Sequence, residues 1–175
     1  MTSPFAPPVV VVVGMGSEWR RDDGVGLAVA RRVAELTEAR ALPNCRVVAP
    51  LGDSLDLLGH WDGANLAVVV DATRSELAPG TISRIEFEDP DQVASAESGS
   101  DRGPGLGRSS THGIGLVGVL RLARAVQQAP ARTVVIGVEG EDFRQGSELS
   151  SAVAAAVDKA ATCVLELVEE ALKCA

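Results

Sequence analysis

The feature that most constrains the fold is an uninterrupted apolar run, PVVVVVG, at residues 8–14. Its β-branched residues follow one another without polar alternation, which is typical of a strand buried on both faces. Such strands belong to parallel sheets that are covered by helices on both sides. NLAVVVDA at 65–72 is a second buried run, and shorter apolar runs at 45–50 and 132–139 are read as further strands. The pattern predicts an α/β protein.

Helical patterns alternate with these strands and complete the predicted architecture. Apolar residues recur at helical spacing over 23–38, with charged residues off that face. The alternating segment 81–88 follows its predecessor after too short a connection for a helical crossover, so this fourth strand should run antiparallel. The fold class is therefore a three-layer α/β/α sandwich with a five-stranded, mostly parallel twisted sheet and one antiparallel strand. It should form a single domain over residues 1–175. Further helices are predicted at 53–61, 111–126 and 150–173.

Composition excludes several classes of partner. The formal net charge is -8, whereas binding to nucleic acid or an anionic membrane needs a basic surface. The N-terminal apolar run lacks a basic flank and is too short to span a bilayer. Three well-separated cysteines, Cys45, Cys163 and Cys174, argue against a disulfide framework or a structural zinc site. We expect a cytoplasmic monomer without an organic cofactor.

Acidic residues and one histidine follow the predicted strands where sites of open α/β sheets form, beyond the carboxyl ends of the parallel strands. Asp22 and Asp23 come after the first strand, and Asp71 ends the third. An antiparallel fourth strand would let the segment 89–110 return His112 to the same edge. Two carboxylates and one imidazole suit a divalent transition metal such as nickel, zinc or iron. Asp23, Asp71 and His112 are therefore the candidate metal-binding and catalytic residues.

Each of these residues also has a simpler interpretation. Asp22 and Asp23 fit the role of charged residues that cap the first helix. Asp71 fits a turn residue after a strand, and His112 fits a solvent-facing residue in the first turn of a helix. The sequence leaves these alternatives open.

Other polar residues are read as structural. His60 stands beside Trp61 in a short amphipathic stretch and is assigned no chemistry. Glu139, Glu141 and Asp142 follow the fifth strand and could line the same edge of the sheet, but ordinary solvation of a loop explains them. The segment 89–110 is rich in Ser, Gly, Asp and Pro, and a connection of this length is predicted to be functional or mobile.

An α/β domain that binds a nucleotide or another cofactor is the main alternative from the residues themselves. Gly14 and Gly16 fit the start of a G-x-G-x-x-G fingerprint, but Trp19 occupies the third glycine position. The second strand ends in Ala49-Pro50 instead of the expected ribose-binding acid. The motifs of zinc proteases, serine hydrolases and P-loop enzymes are absent from the sequence.

Four motifs, in order over nearly the whole chain, resemble those of the hydrogenase maturation endopeptidases. GMGSEWRRDDGVG is similar to their opening G-x-G-N-x-x-x-x-D-D/E-G-x-G, with Ser17 in place of the usual Asn. VVVDATRSELAPGT resembles their strand ending in D-A before a P-G-T turn. SSTHGIGL resembles their S-x-H-x-x-G-L helix start. VVIGVEGEDFRQGSELSS is similar to their closing segment, although Glu141 stands near where a proline is usual.

The resemblance implies a function. Members of this family remove a C-terminal extension from the large subunit of nickel–iron hydrogenase after nickel has been inserted. Asp23, Asp71 and His112 match the family's metal-contacting positions. The implied nickel belongs to the substrate, where it marks a loaded precursor and polarises the scissile carbonyl. A large-subunit-binding scaffold of the same fold that does not cleave its partner is the remaining alternative.

Overall fold

The computed structural model describes residues 8–49, 54–61, 63–87 and 116–173. The strands are β1 (Val10–Gly14), β2 (Cys45–Val48), β3 (Leu66–Thr73), β4 (Ile82–Phe87) and β5 (Arg132–Glu139). The helices are α1 (Val25–Ala39), α2 (Leu57–Trp61), α3 (Leu116–Ala125) and α4 (Ser151–Lys173). Short 3₁₀ turns, Arg21–Gly24 and Ser54–Asp56, lead into α1 and α2.

These strands form one sheet in the order β2-β1-β3-β5-β4. The pairs β1–β2, β1–β3 and β3–β5 are parallel, whereas β4 runs antiparallel to β5. The predicted mostly parallel sheet with one antiparallel strand is therefore confirmed. β5 lies between β3 and β4, so β4 forms its hydrogen bonds with a strand that comes later in the chain.

Helices cover both faces of the sheet and give the three predicted layers. Alternate residues of β1 and β3 enter opposite cores because successive side chains of a strand point to opposite faces. Val12, Val68 and Val70 pack with α1 and α4 in one core. Val13 and Val69 pack with α2 and α3 in the other.

The sheet reverses its winding direction between β1 and β3. The chain passes from β1 to β2 on one side and then crosses back to place β3 on the other side of β1. Ligand sites of open α/β sheets lie at such a point, beyond the carboxyl ends of the strands. Gly14 pairs with Val70, so Asp71 stands one residue beyond the end of β1.

Several predicted boundaries differ from the structure. β3 continues to Thr73, so Asp71 lies within the strand instead of ending it. The first helix starts with the 3₁₀ turn and is α-helical only from Val25. The predicted mobile segment 89–110 and His112 lie outside the described residues. Within the described ranges, none of the helices combines the length and apolar character that crossing a membrane requires.

Candidate functional site

Glycines bring the start of α1 against the ends of β1 and β3. A Cβ on Gly26 would overlap the carbonyl oxygens of Met15 and Val70, and one on Gly14 would overlap the carbonyl oxygen of Gly26. Gly16 has a positive φ of 109°, and a Cβ there would overlap the carbonyl oxygen of Asp23. The glycines of the G-x-G opening are thus explained by contacts of the chain with itself. A nucleotide phosphate is not needed to account for them.

Asp23 sits in the 3₁₀ turn at the start of this helix and is half-buried. Its carboxylate Oδ2 accepts a hydrogen bond from the backbone N–H of Ser17 at 3.0 Å. Its own N–H donates to the carbonyl of Arg20 at 3.1 Å. The side chain is therefore oriented by the loop after β1. The orienting bond uses the backbone of Ser17, so it does not depend on the Asn usual at that position.

Asp71 lies on β3 beside this loop. The pKa of its carboxyl group is raised to about 7, mainly because the group is buried. A hydrogen bond from the N–H of Ala72 lowers this pKa, and the charge of Asp23 raises it. Asp71 Oδ1 accepts the Ala72 hydrogen bond at 2.8 Å. The two carboxylates are thus close enough for the charge of one to oppose ionisation of the other. The structure brings together two of the three predicted site residues.

The third predicted residue, His112, lies outside the described residues, as stated above. Among the residues that the structure does describe, no group of three histidine, cysteine, aspartate or glutamate side chains is arranged to hold a metal ion. Asp71 shares the side-chain parity of Val69, which faces α3. α3 ends shortly before β5, which runs parallel to β3 and therefore begins at the amino edge of the sheet. The other end of α3, at Leu116, therefore lies toward the carboxyl edge.

Asp22 has a different role from the predicted helix cap. It is fully buried, and its carboxylate accepts three backbone hydrogen bonds. Glu141 and Asp142 each donate to Oδ2 at 2.9 Å, and Ser150 donates to Oδ1 at 2.6 Å. Burial opposes ionisation of Asp22, but these donors hold its pKa below the usual value. Asp22 ties the segment after β5 to the start of α1, next to Asp23.

Glu139 was wrongly expected to be a solvated loop residue. It is the last residue of β5 and is buried. Its Oε2 accepts hydrogen bonds from the hydroxyls of Thr73 at 2.9 Å and Ser75 at 2.8 Å, and its Oε1 accepts one from the N–H of Ser75. Burial opposes its ionisation, but these donors hold its pKa below the usual value. Glu139 therefore anchors the connection from β3 to β4.

Asp142 is also more than a solvated residue. Arg144 donates to it through both its side chain and its backbone and holds the pKa of Asp142 well below the usual range, with a further contribution from the charge of Arg21. The Nε atom of Arg21 lies 3.1 Å from its Oδ2. His60, in contrast, remains without assigned chemistry: it is half-buried beside the fully buried Trp61.

Comparisons of the sequence place the chain among known proteins. A family model described as hydrogenase maturation protease matches residues 30–167. The hydrogenase expression/formation protein HupD of Rhodobacter capsulatus is 32% identical over an alignment of 168 positions, which covers 93% of this chain and 73% of the relative.

Comparisons of the structure agree. The fold matches the hydrogenase maturating endopeptidase HybD of E. coli with a TM-score of 0.72, 21% identity and 93% coverage of each chain. It matches the nickel–iron hydrogenase maturation protease HybD of Thermococcus kodakarensis with a TM-score of 0.68 and 26% identity, over 91% of this chain and 99% of the other. The chain therefore belongs to the hydrogenase maturation protease family and is an endopeptidase.

Proposed function

We propose that the protein removes the C-terminal extension from the nickel-loaded precursor of a nickel–iron hydrogenase large subunit. Asp23, Asp71 and His112 recognise the substrate's nickel. The observation that carries this proposal is the pair of interacting carboxylates, Asp23 and Asp71, at the winding reversal of the sheet. Family membership supplies the reaction type, and this pair supplies oxygen ligands for a cation at the position where α/β folds bind ligands.

The histidine is supported by its position in the chain. Asp71 lies on the same face as α3, and the start of that helix points toward the same edge of the sheet. His112 precedes Leu116, the first described residue of α3, by four positions. An imidazole beside two carboxylates forms a mixed nitrogen and oxygen ligand set, which suits nickel.

The reaction is hydrolysis of one peptide bond. One of the two carboxylates acts as general base and accepts a proton from water as its oxygen attacks the scissile carbonyl. The carbon–nitrogen bond then breaks, and the proton passes to the departing amine. The products are the mature large subunit with a new C-terminal carboxylate and the released extension. The substrate's nickel polarises the carbonyl when the loaded precursor is bound.

We place this activity in the cytoplasm and assign it to a monomer. Cys45 and Cys163 are free thiols, which agrees with a reducing compartment. Burial raises the pKa of the Cys45 thiol to about 11, so it is a poor nucleophile.

The decisive experiment is a processing assay on purified precursor with and without nickel. We expect wild-type protein to cleave the loaded precursor and to leave the nickel-free one intact. Asp23→Asn, Asp71→Asn and His112→Ala should each reduce cleavage by at least about a hundredfold, since each removes a group that contacts the substrate's metal or the attacking water.

The control is Glu148→Gln, which removes an exposed carboxylate from the segment after β5. It should cleave at close to the wild-type rate and should melt at the wild-type temperature. Cleavage of nickel-free precursor at the normal rate would show that the substrate's metal is not what the enzyme reads. An active Asp71→Asn protein would remove that residue from the mechanism.

A further inference from the structure

A cleft of about 610 Å³ opens at the carboxyl edge of the sheet, and three arginines contribute to its lining. We call it the arginine cleft. It is built from the loop after β1, the end of β3 and the segment after β5. Three of the six lining residues are arginines, in a chain whose net charge is -8. The residues that line the cleft are Arg20, Arg74, Glu141, Asp142, Phe143 and Arg144.

The charges inside the cleft are unevenly neutralised. Asp142 is paired with Arg144, whose Nη2 lies 2.7 Å away, and with Arg21. Arg74 instead lies over the ring of Phe143, with its Cζ 5.7 Å from the ring centroid. Among the described residues, no carboxylate forms an ion pair with Arg74. A cation–π contact of this kind holds a guanidinium near the ring while leaving its N–H donors free for a planar, bidentate acceptor.

The arginine cleft is continuous with the proposed active site through backbone hydrogen bonds. Arg74 follows Asp71 by three residues, so their Cα atoms lie at most about 11 Å apart. The N–H of Gly140 donates to the carbonyl of Thr73 at 3.0 Å, which holds the segment carrying Phe143 against the end of β3. Asp22 binds the N–H groups of Glu141 and Asp142, which fixes that segment beside Asp23 as well.

We propose that Arg74 is a specificity-determining residue that binds a carboxylate of the precursor's C-terminal extension. The inference rests on the proposed function and adds a second group of the substrate that the enzyme recognises besides the metal. The Arg74 guanidinium lies over an aromatic ring, and the residue is exposed to solvent. A guanidinium group matches a carboxylate in both charge and planar geometry. The short distance to Asp71 places that carboxylate within about five residues of the scissile bond. It is either an Asp or Glu side chain of the extension or its terminal carboxylate.

The test compares Arg74→Gln with Arg40→Gln in the processing assay. Both changes remove one exposed arginine charge, but Arg40 follows the far end of α1, where it pairs with Glu169. We expect Arg74→Gln to raise the KM for loaded precursor about tenfold with kcat within about twofold of wild type, because a charge-assisted contact made outside the reacting atoms is lost. Arg40→Gln should leave both constants unchanged. Arg74→Lys keeps the positive charge but not the planar guanidinium, so its KM should lie between those of wild type and Arg74→Gln.

Changes in the precursor identify the carboxylate. Neutralising each acidic side chain of the extension by Asp→Asn or Glu→Gln tests one source, and adding Gly-Ser pairs after the last residue moves the terminal carboxylate. The precursor change that raises KM for wild-type enzyme should have no further effect on Arg74→Gln. If the carboxylate is a side chain, replacement of that Asp or Glu by lysine should restore efficient cleavage by the Arg74→Glu enzyme.

Each result separates this inference from the proposed function. If wild-type enzyme cleaves and Arg74→Gln keeps the wild-type KM, the inference is wrong while the proposed function stands. If wild-type enzyme does not cleave, fluorescence anisotropy of a labelled extension peptide still decides the inference. Equal affinity of that peptide for wild type and Arg74→Gln would overturn it.

Discussion

Neighbouring acids in this protein differ in chemistry because their surroundings differ. Asp22 and Asp23 are adjacent, yet Asp22 is buried among three backbone donors, whereas Asp23 is half-buried with one. Asp71 has a single backbone donor and the charge of Asp23 nearby. Three backbone donors stabilise a buried negative charge, and a single donor beside a like charge does not. This contrast separates the structural carboxylate from the pair available to a cation.

The raised pKa of Asp71 makes stability depend on pH. Its folded-state pKa of about 7 exceeds the usual 3.8, so the folded protein binds this proton more tightly than the unfolded chain does. The stabilising contribution is present below about pH 4 and is lost as the pH rises through 7. The Asp71→Asn variant does not undergo this loss. Its free energy of unfolding at pH 8 should therefore exceed that of wild type by roughly 1–3 kcal/mol after allowance for solvent screening.

The measurement is urea unfolding of metal-free protein at pH 5 and pH 8. The difference in unfolding free energy between the variant and wild type should grow with pH. Parallel curves for the two proteins would mean that Asp71 titrates near its usual value.

Gly16 allows a second prediction about a single position. Its φ of 109° and its contact with the carbonyl of Asp23 leave no room for a side chain. Gly16→Ala should cost about 1–3 kcal/mol of stability from backbone strain and should displace Asp23. Gly59→Ala is the matched control, because a Cβ at this helical position meets nothing within 4 Å. Thermal melts and processing rates of the two variants test this, and a fully active Gly16→Ala protein would contradict it.

Two buried carboxylates hold connections at the carboxyl edge of the sheet. Asp22 holds the segment after β5, and Glu139 holds the connection between β3 and β4. Asp22→Asn replaces an acceptor oxygen by a donor facing backbone N–H groups. The change should cost about 1–3 kcal/mol and loosen residues 141–150. Hydrogen exchange should show faster exchange of the Glu141, Asp142 and Ser150 amides, with β1 and β3 unaffected. Uniform acceleration throughout the sheet would show that Asp22 supports the whole fold instead.

The two cores predict that folding and catalysis can be separated within one strand. Val69 is fully buried between the sheet and α3, two residues before Asp71. Val69→Ala removes two buried methyl groups and should cost on the order of 1–3 kcal/mol while leaving the site groups in place. Asp71→Asn should have the reverse profile, with a stable fold and no cleavage. Melting curves beside processing rates check this, and loss of both properties in both variants would contradict it.

Much of the architecture could be predicted because it rests on short-range patterns. The β-branched runs identified β1 and β3 as buried strands, and the carboxyl-edge rule then brought Asp23 and Asp71 together. The role of Asp22 could not be predicted, because its partner Ser150 lies 128 residues away in the chain. Glu139 was interpreted as a solvated residue at the end of a strand, since nothing in the neighbouring sequence indicates its hydrogen bonds with Thr73 and Ser75. The contact of Arg74 with the Phe143 ring likewise joins segments that are remote in sequence.

The hydrogen bond from the Ser17 N–H to Asp23 has a consequence for how the family can vary. Because the backbone makes this contact, a change of the side chain at position 17 should leave the Asp23 carboxylate oriented. Proline is the exception, since it has no N–H to donate. Ser17→Pro should therefore release the Asp23 carboxylate, whereas Ser17→Ala should leave it in place.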